Sequence, residues 1–218
     1  MEGWTLAVCE YHKILIQLKH QSLALVYSEA ILCPIFHESP LPGYFQGLSS
    51  VLSESDSERV LQIKPNTVRD FSCASLACSR MICAMVPLKP TFDQYIRVLR
   101  TGLEVCGSLG CSSVSLPVLK LDCSLEKSAE LCLEGVELFI LGQLGNPGCL
   151  KEISVCCQSS EELAALNQAS RFRMTRYSSF ICIGMPEELP DSQRYCYKCC
   201  SIYNVESYHE ENNCLGVN

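Results

Sequence analysis

The chain has 218 residues, 48% of them hydrophobic and 19% charged, which argues against wholesale disorder and supplies a full core without metal or disulfide staples. Its 24 acidic residues outnumber 17 basic ones, a net charge of −7, so a broad phosphate-neutralising surface for nucleic acid is not expected. No run of about eighteen apolar residues occurs, so no membrane span is expected. Apolar runs place strands over 13–20 and 23–36, the second passing through Ala30-Ile31-Leu32-Cys33 to Pro34. Residues 37–58, rich in Ser, Pro and Gly and closing on an acidic run, read as a long loop or a loop with a short helix. Residues 69–77 are ambiguous, and 80–86 form an apolar strand stopped by Pro87 and Pro90.

Thr91 caps a helix with Asp93 in its first turn. Phe92, Tyr95, Ile96, Leu99, Leu103 and Cys106 follow helical spacing up to Gly107. A strand over 114–119 contains Pro117. Ser124 then caps a second helix with Leu125, Ala129, Cys132, Val136, Phe139 and Ile140 on one face, and residues 145–148 break it. A strand over 153–157 leads into Ser159-x-x-Glu162, a capping box that opens a third helix to about residue 169. Strands alternating with helices predict an α/β domain with parallel pairing. The expectation is one sheet over 10–170, helices on both faces, and Ile31, Ile82, Val114 and Val155 in interior strands. Residues 171–218 read as a further strand near 180–183 and a polar, Tyr- and Cys-rich tail, with Arg171, Arg173 and Arg176 on a solvated strand edge.

The block 80–169 resembles the second half of a macrodomain, the ADP-ribose-binding module. The resemblance rests on the strand Met81-Ile82-Cys83-Ala84-Met85-Val86-Pro87, the helix that follows it, and Gly110-Cys111-Ser112-Ser113-Val114-Ser115-Leu116-Pro117. The helix over 124–140 and Leu150-Lys151-Glu152-Ile153-Ser154-Val155-Cys156-Cys157 continue it, and Ser28-Glu29-Ala30-Ile31-Leu32-Cys33 stands where the family has its Asp-Ala-Ile-Val-Asn strand. It implies a three-layer mixed sheet with helices on both faces over 1–170, followed by the strand and tail of 171–218. The ligand elements of the family are not matched. Where ADP-ribose binders carry an Asn-rich strand end and a run of glycines, this chain has Cys33-Pro34-Ile35-Phe36-His37, then Gly43 and Gly47 separated by bulky residues. The second Gly-rich loop is replaced by Val118-Leu119-Lys120-Leu121-Asp122-Cys123, and no early Asp stands near Lys19-His20-Gln21-Ser22. The resemblance therefore implies the fold with a degenerate pocket, a pseudoenzyme to which no catalytic residue is carried over.

Candidate ligand contacts are Cys33 and His37 at the end of one strand, Gly43 and Gly47 after it, and Lys120 and Asp122 after another. Cys33 with His37 is a cysteine–histidine pair at the expected carboxyl edge of a sheet strand, where a thiolate nucleophile with a nearby base could stand; the alternative is a core cysteine followed by a loop histidine. Cys196, Cys199, His209 and Cys214 offer four zinc ligands in a stretched knuckle spacing, weighed against an unstructured tail. No other cofactor is expected.

Of the 17 cysteines, Cys33, Cys83, Cys106, Cys132, Cys156 and Cys157 sit in apolar periodic segments and read as small buried hydrophobes. With no signal-peptide pattern in Met1-Glu2-Gly3-Trp4, the expectation is a reduced cytoplasmic or nuclear protein. The function expected is protein–protein interaction, with a divergent ADP-ribose or nucleotide binder of weak hydrolase activity, or a zinc-binding adaptor, as the rivals.

Overall fold

A continuous apolar run lets a strand bury both of its faces, and β-strands of that kind, such as Ala30–Phe36 and Arg80–Val86, lie at the centre of this protein. The computed structural model describes residues 4–11, 14–37, 54–73, 78–143, 148–174, 181–182, 193–196 and 201–204. The strands are β1 (Trp4–Tyr11), β2 (Ile14–His20), β3 (Ala30–Phe36), β4 (Val68–Ser72), β5 (Arg80–Val86), β6 (Ser113–Pro117), β7 (Glu152–Cys157) and β8 (Ile181–Cys182). The helices are α1 (Glu54–Leu61), α2 (Phe92–Ser108), α3 (Leu125–Gly142) and α4 (Ser160–Met174). These strands form one sheet in the order β4-β5-β3-β6-β7-β2-β1-β8. The run β5-β3-β6-β7-β2 is parallel, while β4 and β1 are antiparallel additions to its two sides. A separate antiparallel pair joins β9 (Gln193–Cys196) to β10 (Ser201–Asn204).

Ile31, Ile82, Val114 and Val155 lie in interior strands as expected. The even-numbered face of β3 and β5, with Ile16 and Leu18 of β2, meets α2, α3 and α4 in the main core, where Tyr95, Leu99, Phe139 and Ile140 are buried. The opposite face carries Ile31, Cys33, Ile35, Met81, Cys83 and Met85 into a second core with Val60 of α1. Helices therefore cover both faces. At the end of α2, Gly110 takes φ 78° while its N–H bonds to Gly107 O and that of Cys111 to Cys106 O, both at 3.1 Å. Only glycine enters that left-handed region freely, and the two bonds satisfy carbonyls the helix leaves open.

Several expectations shift. Residues 23–36 are not one strand: Leu23–Leu25 make a 3-10 turn, and the ladder begins at Ala30. Leu23 and Val26 drop into the second core, and the backbone carbonyl of Glu29 is taken by the N–H groups of Ser79 and Arg80. The sheet starts at Trp4 rather than residue 10, the ambiguous 69–77 contains β4, and β6 ends at Pro117. Arg171 and Arg173 lie in α4, which runs past residue 169, rather than on a strand edge; Arg176 is outside the described residues.

The crevice at the carboxyl edge of the sheet

The chain leaves β3 towards β5 and leaves β6 towards β7, on opposite sides. In a parallel sheet, this divergence opens a crevice at the carboxyl ends of the two strands, where ligands of α/β proteins bind. Here β3 and β6 are neighbours only through Ala30↔Val114 and Ile31↔Ser115. Beyond that point stand Pro34 and Pro117, neither with an N–H to extend a ladder.

His37 follows β3 directly, half-buried, and its N–H donates to Val86 O at 2.8 Å. Cys33 lies deeper, on the second-core face beside Cys83, and burial pushes its thiol far above the ordinary range. Four residues of strand put Cys33 and His37 roughly 13 Å apart along the chain, too far for a nucleophile–base pair. After β6, Val118, Leu119 and Leu121 turn inward and are buried in the main core. The Leu121 N–H is held by Ser128 Oγ of α3 at 3.1 Å. Lys120 and Asp122, between and beyond these leucines, face solvent. The structure thus brings the surroundings of His37 and of Lys120 and Asp122 to one edge. Gly43, Gly47, Cys199, His209 and Cys214 lie outside the described residues; Cys196 ends β9.

Three helix N-termini share this edge, because α2, α3 and α4 each follow a parallel strand. Such ends are ready-made anion sites, with unsatisfied N–H groups and the positive pole of the helix. In each case the chain closes its own. Thr91 Oγ1 accepts from the Gln94 N–H at 3.2 Å, and Gln94 Oε1 accepts from the Thr91 N–H at 2.9 Å. Ser124 Oγ accepts from the Lys127 N–H at 3.2 Å. Ser159 Oγ accepts from the Glu162 N–H at 3.1 Å, while the Glu162 carboxylate reaches back to the Gln158 N–H at 2.7 Å. Each first turn also carries an acid: Asp93, Glu126, and Glu161 with Glu162. Hydrogen bonds from its own backbone N–H and the Ser124 hydroxyl hold the Glu126 carboxyl below the usual range.

Lys127 places its ammonium 5.9 Å from the centre of the Phe92 ring and bonds Glu130 at 2.7 Å. Leu88 and Phe92, just beyond β5, are exposed at the same rim. Thr91, Ser124 and Ser159 are legible as caps in the sequence, and Ser128 is not. Caps are written within four residues, whereas the Ser128–Leu121 bond exists only once α3 has docked.

The fold is that of a macrodomain. No family model and no curated protein matches the chain by sequence. Among solved structures, the Oceanobacillus iheyensis macrodomain with ADP superposes with a TM-score of 0.69 at 11% identity, covering 81% of this chain and 100% of that one. The macro domain of ganglioside induced differentiation associated protein 2 gives 0.61 at 14% identity, over 71% of this chain and 82% of that one. The Trypanosoma brucei macrodomain in complex with ADP gives 0.61 at 12% identity, over 72% of this chain and 69% of that one.

Proposed function

We propose that this chain is a non-catalytic macrodomain-like module that works through protein–protein contacts, its ADP-ribose pocket degenerate. The observation that supports the reading is the self-closure of the crevice. All three helix N-termini at the same sheet edge are capped from within and carry acids, and the segment after β6 is folded inward on Leu119 and Leu121. A diphosphate needs convergent N–H donors and a positive field, whereas here caps occupy one or two donors at each helix end and a carboxylate stands in each first turn, offsetting Lys120 and Lys127 at the same edge. Losing several charge-assisted hydrogen bonds at about 1.5–3 kcal/mol each removes several orders of magnitude in affinity. Exposed Leu88 and Phe92 on the same rim suit a protein partner better than a sugar phosphate.

A divergent ADP-ribose or nucleotide binder is the second reading. It is favoured by the two ADP-bound macrodomains among the structural neighbours. Calorimetric titration with ADP-ribose at millimolar concentration, paired with a de-ADP-ribosylation assay, separates the two. The module reading expects no saturable heat and no turnover. Micromolar affinity, or turnover abolished by changing His37 or Asp122, overturns it.

A further inference from the structure

β4 ends the sheet on one side and pairs with β5 alone, through five residues from Val68↔Ala84 to Ser72↔Arg80. The same register runs on past both ends: the Met85 N–H donates to Thr67 O at 2.9 Å, and the Cys73 N–H to Ser79 O at 3.0 Å. Bonded pairs alternate in an antiparallel ladder, so Thr67, Arg69, Phe71 and Cys73 turn their backbone groups toward β5. Val68, Asp70 and Ser72 turn theirs outward, and among the described residues none bonds them. Neither a proline nor a bulge interrupts the strand, two of the devices that blunt such an edge. Arg69, Asp70 and Ser72 are exposed, while Phe71 anchors β4 in the second core, with the Arg59 guanidinium 5.5 Å from its ring centre. Arg59 bonds Asp56 at 2.8 Å, and Arg80 bonds Asp70 at 2.9 Å. Arg69 lies on the same strand face as Phe71 and has no ion-pair partner among the described residues.

We propose that the outer edge of β4 takes an extended segment of a partner protein as an added antiparallel strand, with an Asp or Glu of that segment opposite Arg69. The N–H and C=O groups of Val68, Asp70 and Ser72 supply the new ladder, and main-chain bonds of this kind carry strand addition in general. The backbone of Arg69 faces β5, so the residue across from it stands in a pair without hydrogen bonds, where side chains lie closest. A carboxylate there meets the guanidinium of this edge that holds none, since Arg59 and Arg80 already hold theirs. A second copy of the chain fits poorly. Outward groups fall on even positions, so two copies pair even with even. The register that overlaps the whole strand sets Asp70 against Asp70, and the next sets Arg69 against Arg69; like charges directly opposite repel. A register centred on Phe71 leaves only 70–72 overlapping. β5 and β3 separate this edge from the crevice between β3 and β6, so strand addition stands or fails apart from ADP-ribose binding.

Amide exchange of the full chain is followed residue by residue, with and without the synthetic peptide Thr-Val-Thr-Glu-Thr-Val-Thr, blocked at both ends. In the free chain the amides of Val68, Asp70 and Ser72 are expected to exchange fast. At roughly millimolar peptide they are expected to slow by about tenfold or more, while Arg69 and Phe71, already bonded to β5, change little. The peptide with Lys in place of Glu is expected to protect less. The Glu peptide N-methylated on the threonines either side of Glu keeps its charge, loses its ladder, and is expected to give no protection. Arg69→Glu, a change at an exposed position, is expected to reverse the preference toward the Lys peptide; should that variant not fold, the N-methyl comparison on the unaltered chain decides alone. Absence of protection, protection that survives N-methylation, or a preference unmoved by Arg69→Glu overturns the proposal. So does protection of Val68, Asp70 and Ser72 that grows with protein concentration in the absence of peptide, the mark of a second copy on this edge.

Discussion

Three glycines within nine residues of α2 and its end are held for three different reasons, and alanine tells them apart. A Cβ at Gly102 would stand 2.5 Å from Leu32 Cδ1 and 3.3 Å from its Cγ, and Leu32 is fully buried in β3. The isobutyl group must shift within a sealed core to admit the Cβ, so overpacking of about 1–3 kcal/mol is expected to exceed the helix-propensity gain of about 1 kcal/mol. At Gly110, φ 78° is left-handed, and alanine there costs roughly 1–2 kcal/mol from backbone strain alone. At Gly107 a Cβ meets nothing within 4 Å, and φ is ordinary, so alanine is expected to stabilise by up to about 1 kcal/mol. Urea denaturation of the three variants should give that order of signs. A stabilised Gly102→Ala would show that α2 does not press on β3 as closely as these distances require. Gly110 was legible in the sequence as the small turn after a helix. Gly102 was not, because a close approach between helix and sheet leaves no periodic trace.

At the scale of elements, the helix starts matter most, because they decide both stability and what the crevice can hold. Thr91→Ala removes the side-chain acceptor of a full capping box and is expected to cost about 1 kcal/mol. Ser128→Ala is a different kind of loss. Its hydroxyl accepts from the Leu121 N–H and donates to Ser124 O at 3.1 Å. Truncation leaves a buried donor unmet, for about 1–3 kcal/mol. Amide exchange at Leu121 is expected to speed up more than at Leu99 or Ile140, whose helices keep their bonds. Uniform acceleration throughout the domain would mean that Ser128 acts on global stability and not on the segment after β6. The helices and the central strands were readable because their signals are local: apolar spacing, caps, Pro and Gly stops. What escaped was set by distant partners. Leu23 and Val26 look like strand residues and act as a plug, and β1 owes its place to pairing with β2 and β8. The crevice was legible only as what it lacks; its closure by caps and by Leu121 needed three dimensions.

For the whole molecule, the cysteines make stability a function of alkaline pH. Cys33, Cys83, Cys106, Cys132, Cys156 and Cys157, which the sequence placed in apolar segments, are all buried, and all have thiols raised by burial. Cys132, Cys156 and Cys157 are pushed up to about 12 from an ordinary 9.0. The sign follows from proton counting. Above pH 9 the unfolded chain has released these protons and the folded chain still holds them, so unfolding releases protons and stability falls as pH rises. The contribution is fully present below the unfolded value and is lost progressively between it and the folded one. One unit above the unfolded value, each buried thiol has given up about 1 kcal/mol. Six such groups together approach the roughly 5–15 kcal/mol that holds an ordinary domain folded. The protein is therefore expected to unfold cooperatively between about pH 9 and pH 11 in a non-thiol reductant, followed by circular dichroism. Cys132→Ala should lower overall stability at neutral pH through its cavity, yet flatten the alkaline slope by one thiol's share. A urea midpoint that stays level from neutral pH to about one unit above the thiol range would mean that these sulfurs meet water more than their burial implies.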